Sequence, residues 1–139
     1  MMEKYLSMVT PDDVETQILD WGVFQWMSEP RVTGVDKMVV GIGTVKPGKG
    51  HVRHTHPDSQ EFIYFLKGTA LQTIERPDGL QEKELHAGDL ISIPQGAYHS
   101  TINVGDDDLV FLCCYLNAGA ERAVADTALE ILPPKNQWQ

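Results

Sequence analysis

In His54-Thr55-His56-Pro57-Asp58-Ser59-Gln60-Glu61, two histidines precede a Pro-Asp turn, and Glu61 then opens the apolar run Glu61-Phe62-Ile63-Tyr64-Phe65-Leu66. The i, i+2 spacing predicts that both imidazoles share one face of a strand. The turn brings Glu61 back beside them. If Glu61 points inward, Ile63 and Phe65 do so too. A carboxylate heading such a face needs a partner, because an unpaired buried charge is costly. A metal ion is one such partner, and a solvated surface trio is the plainer alternative.

The surrounding chain is cut into short pieces by Pro47-Gly48-Lys49-Gly50, Pro77-Asp78-Gly79, Ala87-Gly88-Asp89, Pro94-Gln95-Gly96 and Gly105-Asp106. Short apolar or β-branched segments between turn clusters predict an all-β sandwich or barrel. The expected strands are Val32 to Val45, His51 to His56, Glu61 to Leu66, Thr69 to Glu75, Leu80 to Leu85, Leu90 to Ile93, Tyr98 to Val104 and Leu109 to Leu116. Those flanking Pro77-Asp78-Gly79 form a hairpin. His99 opens a strand directly after the Pro94-Gln95-Gly96 turn, so a third imidazole has a fixed direction. Thr10-Pro11-Asp12-Asp13 predicts a short helix start, with a threonine N-cap and proline at N1. Trp21 to Trp26 predicts an added strand, and Ala120 to Leu132 a helical turn before Pro133-Pro134 and a tail.

Gly48-(x5)-His54-x-His56-(x4)-Glu61-(x6)-Gly68 and Gly88-(x5)-Pro94-x-Gly96-(x2)-His99-(x3)-Asn103 together resemble the two motifs of the cupin family at every defined position. The chain is similar to small single-domain cupins of the cupin-2 kind. That resemblance implies a jelly-roll barrel, or double-stranded β-helix, of two sheets. It also implies one metal ion held by His54, His56, Glu61 and His99. Gly68, Gly88 and Gly96 suit turns that need positive φ. One domain over residues 1–139 is expected, with an N-terminal extension and added strand (1–31), a barrel core (32–116) and a C-terminal segment and tail (117–139).

Three imidazoles and a carboxylate suit a divalent Mn, Fe, Co, Ni or Zn ion. Positions left open on an octahedral ion would admit water or a ligand. No general acid or base is assigned. Tyr64 and Tyr98 alternate away from the site and are expected to pack. Thr101 and Asn103 share the face of His99, with core hydrogen bonding the expected role. Gln60 stands where many relatives carry another glutamate. His51, His86 and Arg53 are expected to face away from the ligands. One of Cys113 and Cys114 should point inward as a small buried hydrophobe.

Composition narrows the function. The 139 residues carry a net charge of −9, with 42% apolar and 22% charged residues. This is globular composition, and no basic stretch suits a nucleic acid or an anionic membrane. The longest apolar run, Leu109 to Leu116, is far short of the ~20 residues of a spanning helix. The N-terminus lacks the pattern of a signal peptide, and adjacent cysteines fit a reducing cytoplasm. Trp21, Trp26 and Met27 predict either a lid over the chain's own barrel or a strand added to a second copy. Cupins dimerise through such faces, so a homodimer is expected. The expected function is a small metalloenzyme acting on an organic-acid or sugar-like molecule that chelates the metal. Dioxygenase, decarboxylase, isomerase or epimerase, and lyase chemistry are all open to it. A non-catalytic binding or sensing module and a purely structural metal barrel are the alternatives.

Overall fold

In the computed structural model, residues 4–138 are described. The outermost ends of the expected extension and tail, residues 1–3 and 139, lie outside them. Strands β1 (Thr16–Leu19), β2 (Gly22–Ser28), β3 (Met38–Val45), β4 (Gly50–His54), β5 (Glu61–Lys67), β6 (Thr69–Arg76), β7 (Gly79–His86), β8 (Leu90–Ile93), β9 (His99–Asn103), β10 (Leu109–Leu116) and β11 (Glu130–Leu132) form two antiparallel sheets. One sheet runs β11-β1-β2-β3-β10-β5-β8 and the other β4-β9-β6-β7. This is the expected all-β jelly roll. The β6–β7 hairpin closes at Arg76 and Gly79, as the Pro-Asp-Gly turn demanded.

Alternation places the core between the sheets. On β5, Glu61, Ile63 and Phe65 are buried; on β10, Leu109, Phe111, Cys113 and Tyr115 are buried. The aromatic side chains fit because β3 presents glycines opposite them. A Cβ on Gly41 would strike Phe24 and Trp26, and one on Gly43 would strike Phe111. Phe24 stacks on Trp26 with ring centroids 4.1 Å apart, and Phe24 meets Phe111 at 6.0 Å. Gly68, Gly88 and Gly96 adopt φ of 94°, 94° and 81°, as the turns require.

Several local expectations change. Val32 to Lys37 is turn and loop, so the long Val32–Val45 run yields a strand only from Met38. β4 ends at His54, leaving His56 in the following connection rather than on the strand. The N-terminal turn is a single 3-10 turn, Pro11–Asp13, in which Thr10 N and Oγ1 both donate to Asp13 Oδ2 at 2.8 and 3.0 Å. The Ala120–Leu132 stretch divides into a short helix, α1 (Ala120–Ala125), and β11, which pairs with β1. The tail docks on the N-terminal turn, with Trp138 Nε1 donating to Asp13 O at 2.8 Å.

Trp21 and Trp26 are buried inside their own chain, against Phe24 and Tyr115. The aromatic segment is therefore a wall of this barrel rather than an exposed docking face. No helix among the described residues is long and apolar enough to cross a membrane.

Candidate metal centre

The four residues of the two motifs converge. One ligand atom from each of His54, His56, Glu61 and His99 lies within 4.8 Å of all the others. His54 closes β4 and pairs with His99 at the start of β9 across the smaller sheet. Glu61 opens β5 in the larger sheet, and His56 arrives from the β4–β5 connection. That connection is tied down where Gly96 N donates to His56 O at 3.0 Å, which joins the two motif turns.

The imidazole tautomers follow from their backbone contacts. His54 Nδ1 lies 2.7 Å from Val52 O, and His99 Nδ1 lies 2.9 Å from Ala97 O. A carbonyl accepts only, so each Nδ1 carries a proton, and in the neutral ring that a metal requires the lone pair then sits on Nε2. His99 Nε2 approaches Glu61 Oε1 to 3.1 Å, and neither atom has a hydrogen-bond partner among the described residues. His56 Nε2 sits 3.4 Å from the same oxygen. These buried donor atoms converge on one point, and a cation placed among them satisfies them together. The donor set therefore fits a divalent transition-metal ion.

Electrostatics prepares the imidazoles for this. Burial, reinforced by the neighbouring imidazoles His51, His99 and His56, pushes His54 down to about 2. Burial and then His99 push His56 down to about 4. Both are thus neutral over the ordinary pH range, and a metal takes an imidazole only in its neutral form.

The structure also brings in two residues that sequence reasoning left out. His51 was expected to face away. Instead the β4–β9 register shifts between His51 and His54, and the irregularity turns both imidazoles to the same side. Their rings stack with centroids 3.6 Å apart, and His51 also stacks on Trp21 at 5.7 Å. Burial is the main cause of its pKa falling to about 4. Tyr115 is the second addition. Its hydroxyl lies 3.4 Å from His56 Nε2, and burial, together with the Glu61 carboxylate, holds its pKa well above the usual phenol value. Alternation along Leu109 to Leu116 was the signal for it, since Tyr115 shares the inward face of Phe111 and Cys113.

Other placements match expectation. Arg53 turns outward to pair with Glu75, lying 3.8 Å over the ring of Tyr98. His86 is exposed and contacts Glu84 at 2.9 Å. Tyr64 and Tyr98 alternate away from the site as expected, but both are exposed rather than packed. Thr101 donates to Gln72 Oε1 at 2.6 Å, and Asn103 bonds the backbone of Val45 and Asp107. Gln60 reaches Ser92 Oγ at 3.0 Å. Cys113 is the inward cysteine, and burial pushes its thiol up, away from reactivity.

Beside His54, Glu61 and His99 lies a narrow, partly open cavity of about 20 Å³, room for roughly one water molecule. His51, Trp21, Phe24, Phe111 and Tyr115 line it, and Val124 of α1 reaches it from the C-terminal side. Glu61 is the sole carboxylate among its described lining residues.

Comparison with known proteins agrees with this geometry. An oxalate decarboxylase of Arthroderma benhamiae is 39% identical over 99 residues, covering 70% of this chain and 21% of that protein. A putative glucose-6-phosphate isomerase 1 of Rhizobium meliloti is 31% identical over 88 residues, covering 56% of this chain and 41% of that protein. The solved oxalate decarboxylase of Bacillus subtilis superposes with a TM-score of 0.68 at 25% identity, over 73% of this chain and 27% of that one; that enzyme has Mn(II) centres. The chain thus spans between a fifth and two fifths of the length of these relatives. The Cupin_2 family model, described as a cupin domain, matches residues 41–115, more than half of the chain and both histidine motifs. With its two-sheet barrel and converging histidines, this chain belongs to the cupin family.

Proposed function

We propose that this chain is a metal-dependent cupin in which His54, His56, Glu61 and His99 hold one divalent transition-metal ion that takes a very small organic acid as its ligand. The observation that carries the reading is the approach of Glu61 Oε1 to His99 Nε2 at 3.1 Å with no hydrogen-bond partner for either atom. Manganese is the first metal to try, given the Mn(II) centres of the Bacillus subtilis decarboxylase. When bound, such an ion supplies Lewis acidity and an open position for an oxygen donor.

The chain's own residues limit what that donor is. The narrow cavity beside the ligands leaves less room for a sugar phosphate than for a small acid. A carboxylate of one or two carbons asks least of the walls. This favours the organic-acid class over the sugar-like class. Trp21, Phe24, Ile63 and Phe111 exclude bulk water, so electrostatic contacts inside act at low dielectric. Tyr115, kept neutral by burial and by Glu61, remains a hydroxyl donor beside the ligand set. The free cysteines suit the reducing cytoplasm that belongs to this reading. A homodimer, which is also part of it, would use faces other than the buried Trp21 and Trp26.

The test is elemental mass spectrometry on tag-free protein beside a His54→Ala, His99→Ala double variant. Near-stoichiometric metal in the parent, lost in the variant, is expected. The metal-loaded parent is then assayed with oxalate and other small acids. Turnover above that of the double variant supports an enzyme. Calorimetric binding without product would assign a binding module instead. If reloading under reducing conditions puts no metal into the parent, the reading falls.

A further inference from the structure

We propose that His51 is the residue that positions the metal's small anionic ligand, donating a hydrogen bond to it from a fixed imidazole while not itself binding the metal. The inference rests on the metal reading above.

Three observations carry it. The register shift between His51 and His54 aims a second β4 residue into the cavity, against the alternation of a regular strand. Such irregularities re-aim side chains beside functional sites. The ring is then held on two sides, by Trp21 at 5.7 Å and by His54 at 3.6 Å. Stacking fixes the ring plane, so its polar edge has a defined direction. Finally, among the described residues neither ring nitrogen of His51 has a hydrogen-bond partner, although the ring lines the cavity with Glu61 and His99. His54 and His99, by contrast, each spend Nδ1 on a backbone carbonyl.

A metal ligand would belong to the converging set, and His51 does not. A packing residue in this place, between Trp21 and the aromatic wall, would need no nitrogens. What an imidazole adds is an N–H donor in either of its ionisation states. Thr101, the nearest alternative hydroxyl on β9, is already committed to Gln72. The ligand class follows from the donor and the narrow, partly open cavity together: a small oxygen anion reaching in from its open side, formate being the simplest carboxylate.

The experiment compares the parent, His51→Phe and His51→Gln, each loaded with cobalt(II), whose visible absorption reports its ligands. Cobalt content, melting temperature and formate affinity are measured on all three. The phenylalanine keeps the stack and removes the donor; the glutamine keeps a donor if the larger ring does not fit. Full cobalt content in both variants is expected. Formate affinity should fall ~10-fold or more in His51→Phe, the range for a lost hydrogen bond to a charged group, with partial recovery in His51→Gln. A merely structural role would lower the melting temperature and leave the formate affinity of the folded protein unchanged; that result overturns the proposal. Loss of cobalt in both variants would make His51 a ligand and also overturns it, while the metal reading stands. A parent that binds cobalt but not formate removes the positioning role alone. A parent that binds no cobalt removes both readings.

Discussion

Asn103, the last position of the second motif, has no exposed surface and satisfies its whole amide. Its Nδ2 donates to Val45 O and Asp107 O, each at 2.9 Å, and its Oδ1 accepts from Gly105 N at 2.9 Å. It thus ties β9 to the end of β3 and shapes the turn into β10. Replacing it with alanine leaves buried backbone groups unpaired. Asn103→Ala should lower unfolding free energy by about 2–4 kcal/mol, read by urea denaturation, with stoichiometric metal uptake retained. A loss of metal with unchanged stability would show that the residue serves the centre instead. His51 shows why some of the site was not legible at this scale. Strand alternation predicts its direction only while the ladder is regular, and the shift beside His54 lies in the pairing with β9. Nothing local in His51-Val52-Arg53-His54 announces it.

At the scale of elements, turn residues were the most informative signal. Gly-Pro punctuation marked β5 to β10 closely, and the motif spacings placed three ligands at strand ends or turns. β1 and β11 were not legible, because a strand of three or four residues owes its existence to its partner. The β3 glycines carry a related lesson: they are strand residues because the aromatic rings facing them need the space. Gly41→Ala should cost about 1–3 kcal/mol through overpacking against Phe24 and Trp26, seen as a lower denaturation midpoint. Near-parent stability would mean that the rings shift without cost. α1 offers a test of size selection. Val124 is nearly fully buried and walls the cavity. Val124→Ala should cost about 2 kcal/mol while improving the affinity for malonate relative to formate. An unchanged affinity ratio would show that another wall sets the size limit.

Across the whole molecule, buried imidazoles couple stability to pH. His51 and His56 both fall from 6.5 to about 4 on folding, chiefly through burial, and His54 to about 2. Above the unfolded value of 6.5, neither state holds a proton on these groups. As pH falls from 6.5 towards 4, the unfolded chain takes up protons that the folded chain refuses, so stability falls. For His51 and His56 the loss flattens once the folded groups protonate near 4; His54 extends it lower. The metal-free chain should therefore lose melting temperature steadily across that window, in a region where ordinary carboxylates are still largely ionised. Metal binding adds a second dependence. Because folded His54 and His56 stay neutral well below 6.5, the ion should not have to displace protons from these two until the pH nears 4. An ion that binds only the folded state raises stability in proportion to the logarithm of its concentration over its dissociation constant. The rise in melting temperature produced by added manganese or zinc should thus persist through mildly acidic pH and vanish towards 4. Thermal melts with and without metal across this range check it. If the rise is already half lost at 6.5, His54 and His56 are titrating as solvated groups, and the centre is not buried and preformed.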